Sequence, residues 1–229
     1  MGGDISEMVD IYGGSGLMTA FVTGEIDGEN VIHTDPTNPW EWWGWGSFST
    51  TVPHPTHTFQ NGPSPNYDSR PKKTPISLII IHAISMPVGE YVTENIVKVF
   101  TNELNPDDHP DFMAVSDLKV SSHLLITRSG DVLQFVPFHK RAWHAGISFF
   151  KEQENCNDFS IGIELEGCDD DIFEDIQYEA LNSILNLLKK EYSIPNKNIV
   201  GHQHVAPERK TDPGPNFDWS KINAGHLDR

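Results

Sequence analysis

Basic residues are scarce in this chain, and several classes of function fall away with them. Lysine and arginine together number 16 against 33 aspartates and glutamates in 229 residues, a formal charge of −17 with histidine neutral. A protein that follows a phosphate backbone needs a basic footprint, so a general nucleic-acid binder is disfavoured. The same balance weighs against anionic membranes and polyanionic cell-wall polymers and leaves a small or neutral substrate as the expected partner. Cysteine is scarcer still. Cys156 and Cys168 are the only two, too few for a disulfide scaffold or a four-thiolate zinc site, so free thiols in a reducing compartment are expected. No stretch approaches the roughly 20 apolar residues of a membrane span, and the N-terminus lacks a basic region followed by an apolar run. A soluble, cytoplasmic, monomeric protein without a membrane or nucleic-acid partner is the expectation.

What is present suffices for a core. Hydrophobic residues make up 37% and aromatics 10%, which excludes global disorder. The length allows one sizeable domain with an appendage. Residues 1–60 differ from the rest: they are poor in Lys and Arg and hold four of the six tryptophans in Trp40-Glu41-Trp42-Trp43-Gly44-Trp45. Short β-prone pieces at 17–26 and 30–34 flank Asp27-Gly28, a favoured hairpin pair. A small β-rich N-terminal extension is predicted there, with the tryptophans as a packed face or a sugar-stacking surface. A proline-rich run at 61–75 should be extended, and the main domain is placed at 61–229.

Within that domain, Ile76-Ser77-Leu78-Ile79-Ile80-Ile81-His82 is a continuous apolar run of strand length, the pattern of a strand buried on both faces, and it closes on a histidine. Residues 95–104 carry Ile96, Val99 and Phe100 at helical spacing. Residues 105–117, with two prolines and four aspartates, form a long loop of the kind that walls a substrate site. Residues 120–127 and 132–136 read as a hairpin about Arg128-Ser129-Gly130-Asp131. Residues 159–165 form another strand, with Glu164 and Glu166 on one face. Residues 176–192 form the longest helix, with Ala180, Leu181, Ile184, Leu185 and Leu188 in its apolar stripe, acidic residues before it and Lys189 and Lys190 at its end. Ile199-Val200 is a last short strand. The order predicts an α/β (α+β) fold, a mixed central sheet flanked by helices.

Residues 201–215 follow, an irregular segment with three prolines and two glycines that should be neither a regular helix nor a central strand. Its His202 and Asp212, joined by His82, make a donor set of two imidazoles and a carboxylate with a position left for water, the composition of a catalytic Zn²⁺ site. Such a centre suits amide hydrolysis. Glu164 is the candidate general base. Lys210, two residues before Asp212, is a candidate oxyanion stabiliser. In extended backbone His204 would share a side with His202 as a rival ligand.

Four motifs in order then carry a resemblance: Ser64-Pro65-Asn66-Tyr67-Asp68-Ser69-Arg70-Pro71, Arg141-Ala142-Trp143-His144-Ala145-Gly146, Cys156-Asn157-Asp158-Phe159-Ser160-Ile161-Gly162-Ile163-Glu164-Leu165-Glu166-Gly167, and Gly201-His202 through Ala206-Pro207 and Arg209-Lys210-Thr211-Asp212-Pro213-Gly214-Pro215. From about residue 61 to 222 the chain resembles the zinc N-acetylmuramoyl-L-alanine amidases of the peptidoglycan-recognition superfamily, in the branch that acts on 1,6-anhydro-muropeptides in cell-wall recycling. The resemblance implies hydrolysis of the amide between the lactyl group of anhydro-N-acetylmuramic acid and L-alanine. It places zinc on His82, His202 and Asp212, acid/base catalysis on Glu164 and transition-state stabilisation on Lys210. It also implies substrate contacts from Trp143 and its neighbours Arg141 and His144, and at position 83, where Ala83 replaces the family's asparagine. The family position of His204 usually holds Asp or a small polar residue. Two alternatives stay open: a peptidoglycan-recognition module without catalysis, and a lysin-type amidase for polymeric peptidoglycan targeted by residues 1–60.

Overall fold

A computed structural model of the chain describes residues 64–222. The predicted extension at 1–60, with its tryptophans, lies outside the described residues.

Five strands make the central sheet, in the order β4 (Val132–Gln134), β3 (Leu124–Ile126), β8 (Ser160–Glu166), β2 (Leu78–Ile84) and β9 (Ile199–Gly201). The apolar run forms β2 (Leu78–Ile84), paired in parallel with β8 (Ser160–Glu166) on one side and β9 (Ile199–Gly201) on the other. Having a neighbour on each side and packing on both faces is why it reads as unbroken hydrophobicity instead of an alternation. The predicted hairpin is present but shorter: β3 (Leu124–Ile126) pairs antiparallel with β4 (Val132–Gln134) and parallel with β8, which makes the sheet mixed.

Side chains alternate across this sheet, and each face has its own partner. On one face Ile79, Ile81, Ile161, Ile163 and Leu165 pack under α2 (Asp175–Tyr192) through Leu181, Ile184, Leu185 and Leu188. Each such fully buried aliphatic side chain contributes about 1.5–3 kcal/mol by leaving water. A capping box starts this helix, with the Gln177 side chain accepting from the Glu174 N–H at 3.0 Å. Ser193, left-handed at φ 55°, ends it. On the opposite face the apolar packing forms two clusters. Leu125 and Leu133 meet Ile96, Val97, Val99 and Phe100 of α1 (Thr93–Thr101), while Leu78 and Ile80 meet Ala145, Cys156, Phe159, Val200 and Val205. Alternation puts His82 and Glu164 on this second face.

Two small antiparallel pairs had no local signal: β1 (Tyr67–Ser69) with β5 (Lys140–Ala142), and β6 (Phe149–Phe150) with β7 (Gln153–Glu154). The expected extended run around Pro71 is pinned by Arg70, which donates to the carbonyls of Phe138, Asn157 and Asp158 at 3.0 Å and of Ser160 at 2.7 Å. The segment at 201–215 departs from expectation in one respect. A single helical turn, α3 (His202–Val205), follows β9 directly and stops before Pro207. Among the described residues no helix is long and apolar enough to cross a membrane.

Candidate active site

Three buried donor atoms converge beside the C-terminal end of the parallel strands. His82 comes from β2, His202 from the first residue of α3, and Asp212 from the loop beyond it. His82 Nδ1 lies 3.0 Å from His202 Nδ1, and each of these nitrogens lies 3.1 Å from Asp212 Oδ2. The loop is held in place by backbone: Gln203 N–H donates to the Asp212 carbonyl at 3.0 Å, tying α3 to the residue that must face it.

The protons of this triangle decide what it can hold. His202 Nε2 lies 3.1 Å from the Ala145 carbonyl, which can only accept. A neutral His202 therefore carries its hydrogen on Nε2 and turns a bare Nδ1 toward the triangle. Two imidazole nitrogens and a carboxylate oxygen then face one another with at most one hydrogen among them, at the spacing of neighbouring ligands around one ion with bonds of about 2 Å. Burial, and next the proximity of His202, push the His82 pKa down to about 4. The ring is therefore neutral near pH 7, the state a metal ligand requires. The three residues fit a divalent cation of the zinc type.

Glu164 stands beside His82 as its partner across β2 and β8. It is 8% exposed, and its Oε2 has no hydrogen-bond partner among the described residues. Burial raises its pKa well above the ordinary glutamate range and the Asp212 charge raises it further, while the Lys210 charge opposes them. A carboxyl group whose pKa is raised binds a proton more tightly than an ordinary glutamate and is suited to taking and returning one. Lys210 also lowers the proton affinity of His82, so its ammonium acts electrostatically on both groups.

A family model described as N-acetylmuramoyl-L-alanine amidase matches residues 72–215. The chain belongs to this amidase family. The 1,6-anhydro-N-acetylmuramyl-L-alanine amidase AmpD of Citrobacter freundii is 49% identical over 162 residues, covering 71% of this chain and 87% of the relative. AmpD of Escherichia coli K12 is 48% identical over 160 residues, covering 70% and 87%. The crystal structure of a selenomethionine AmpD derivative matches with a TM-score of 0.69 at 49% identity, covering 71% of this chain and 90% of the other.

In this amidase the remaining sequence-derived candidates lie at different distances from the centre. His144 touches it, with Nδ1 2.9 Å from His82 Nε2. Arg141 is held by carboxylates: Nε and Nη2 donate to Asp68 at 2.6 and 2.5 Å, and Nη1 to Asp158 at 2.5 Å. Trp143 is half-buried, and its backbone N–H donates to Ser121 Oγ at 3.0 Å. Ala83 packs against the core under α2, on the sheet face opposite His82. His204 does not join the triangle. In a helical turn, residues two apart point to nearly opposite sides, and His204 Nδ1 instead accepts from the Gly201 N–H at 2.8 Å while its ring meets Trp219.

Sequence reasoning passed over three polar groups that the fold places close by. Asn157 Oδ1 accepts from the N–H groups of His144 and Ala145 at 3.1 and 2.8 Å. Ser160 Oγ lies 3.2 Å from His144 Nε2. Buried His123 accepts the Gly162 N–H on Nδ1 at 3.0 Å. The first two sit inside the quoted Cys156 to Gly167 motif, which was the available signal. A cavity of about 470 Å³ lies alongside, lined by Ile147, Phe149, Val205, Pro207, Glu208 and Arg209 among others. Arg209 connects it to the centre by donating to the Ala145 carbonyl at 2.6 Å.

Proposed function

We propose that this amidase hydrolyses the amide between the lactyl group of 1,6-anhydro-N-acetylmuramic acid and L-alanine in soluble muropeptides, in the cytoplasm and as part of peptidoglycan recycling. His82, His202 and Asp212 are the proposed zinc ligands. Zinc held there would supply a Lewis acid that polarises the scissile carbonyl and makes water more acidic. Glu164 takes a proton from the attacking water and returns it to the leaving alanine nitrogen. Its raised pKa favours the proton-holding half of that cycle over what an ordinary glutamate would offer. Lys210 places a positive charge where the carbonyl oxygen becomes an oxyanion. The cavity beside Arg209 is the proposed run for the peptide stem.

One observation carries this reading: two imidazole nitrogens and a carboxylate oxygen face one another with at most one hydrogen among them, and on the strand next to His82 stands Glu164, whose buried Oε2 has no hydrogen-bond partner among the described residues. The identity to AmpD from two species supports the choice of substrate. The test is a mass-spectrometric assay of zinc-loaded full-length protein on anhydro-muropeptide and on intact peptidoglycan in parallel. Release of the free peptide from the muropeptide, abolished by exhaustive chelation, is the expected outcome. Binding without turnover would point to a recognition module, and preference for the polymer would point to a lysin-type enzyme.

A further inference from the structure

We propose that His144 is a positioning residue for the metal centre, orienting the His82 imidazole instead of contacting substrate. The proposal rests on the zinc reading above. The ring of His144 bridges two protein groups, with Nδ1 2.9 Å from His82 Nε2 and Nε2 3.2 Å from Ser160 Oγ. With His82 Nδ1 turned to the cation, the ring hydrogen of His82 sits on Nε2 and is donated to His144 Nδ1. His144 then keeps its own hydrogen on Nε2 and donates it to Ser160 Oγ. Both ring nitrogens are spent within the protein, and neither is left to bind a ligand.

The strand beneath has been shaped for this ring. Ser160, Gly162 and Glu164 follow one another on the same face of β8. A Cβ on Gly162 would lie 2.5 Å from His144 Cγ, closer than any side chain allows. Thus the serine holds the far nitrogen of the ring, the glycine makes room for its face, and the glutamate stands beside the histidine the ring orients. The backbone completes the arrangement. His144 anchors His82 through its side chain, and Ala145 anchors His202 through its carbonyl. Asn157 clamps both residues by accepting their N–H groups. Two consecutive residues thereby fix the tautomer and direction of both imidazoles.

The test compares full-length His144→Phe and His144→Asn with the parent protein. Phenylalanine keeps a ring over Gly162 and removes both nitrogens; asparagine returns an acceptor near the Nδ1 position. Zinc affinity is read by competition with a chromophoric chelator, the centre's geometry by the absorption spectrum of cobalt-substituted protein, and KM at saturating zinc. His144→Phe should bind zinc about 10- to 100-fold more weakly with an altered cobalt spectrum. His144→Asn should recover most of the affinity, and KM should change little in either variant. A folded His144→Phe protein with parental affinity and spectrum would overturn the proposal. So would unchanged affinity with a raised KM, which would make His144 a substrate contact. If His144→Phe does not fold, Ser160→Ala carries the test: weaker zinc binding supports the proposal and parental binding overturns it. A parent protein that binds no zinc would overturn the functional reading itself, a result distinct from all of these.

Discussion

His82 and Glu164 occupy matching positions on adjacent parallel strands, and the register that aligns them also aligns Ile80 with Gly162 and Leu78 with Ser160. The proposed metal ligand and the proposed proton carrier are therefore set by one backbone ladder. Their roles differ and should separate on mutation. Glu164→Gln should retain zinc while kcat falls about 10²- to 10⁴-fold, whereas His82→Ala should lose zinc as well. The raised pKa of Glu164 gives the pH sign. Its carboxylate, the proposed base, forms only as pH rises past a value above the ordinary glutamate range. The acid limb of kcat/KM should lie correspondingly high and be absent from the residual activity of Glu164→Gln. Zinc content by atomic emission and a pH–rate profile check both parts; equal zinc loss in the two variants would contradict the assignment.

Arg141 is a stability residue in this geometry, because its guanidinium bridges Asp68 of β1 and Asp158 just before β8. The hydrogen bond from Arg141 is the largest influence on Asp68 and lowers its pKa. The resulting stabilisation is fully present above the unfolded carboxyl value of about 3.9 and fades as pH falls through the folded value. These groups are partly exposed, so Arg141→Ala should cost only about 1–2 kcal/mol at neutral pH. Urea melts at pH 7 and pH 3 should show the gap between parent and variant closing in acid. A gap that persists at pH 3 would exclude the ion pair as its source.

Gly162 is the point where the sheet yields to the site. Adding one methyl group there meets the His144 ring at 2.5 Å, and both the ring and β8 are confined by neighbours on either side. Gly162→Ala should destabilise the protein by about 1–3 kcal/mol through overpacking and weaken zinc retention at the same time. Thermal melts with and without zinc, together with chelator competition, measure the two effects. Loss of stability with parental zinc affinity would show that the ring can move without disturbing His82.

Much of this was legible because it depends on local pattern. The apolar run from Leu78 to Ile81 required a two-sided partner and became the central strand; Leu181, Leu185 and Leu188 recurred at helical spacing and became the stripe of α2. The ligand set was legible as chemistry, since few structural roles need two histidines and an aspartate at strand ends and in a proline-rich loop. Contacts between distant segments were not. Tyr67 to Ser69 finds Lys140 to Ala142 across about seventy residues of chain in only three residue pairs, too few for any alternation to show. His123 looked like one more residue of a strand, and Asn157 carried no mark of the two N–H groups it receives. The turn from His202 to Val205 was hidden by its prolines, all of which fall after it.

That turn gives His204 a structural role. Its Nδ1 satisfies the Gly201 N–H at the start of α3, a donor that no helical carbonyl can reach. His204→Ala should therefore cost about 1 kcal/mol, as loss of a helix cap does, and leave zinc stoichiometry and affinity unchanged. Denaturant melts and zinc titration provide the check. A fall in metal affinity comparable to that of His202→Ala would make His204 a ligand in place of a cap.

Lys210 offers the sharpest test of the electrostatics because it acts on two quantities at once. Its positive charge opposes the burial and the Asp212 charge that raise the pKa of Glu164. Removing it in Lys210→Met should raise that pKa further and move the acid limb of kcat/KM to higher pH. The variant should also lose the charge proposed to meet the developing oxyanion, lowering kcat about 10²- to 10³-fold, while zinc content stays at the parent level because no proposed donor atom is touched. The two effects are separable: the limb reports on Glu164 in the free enzyme, and the plateau at high pH reports on the transition state. A lowered plateau with an unmoved limb would place the ammonium near the substrate but too far from Glu164 to act on it. A limb shifted to lower pH would reverse the sign of the interaction and exclude a through-space charge as its cause.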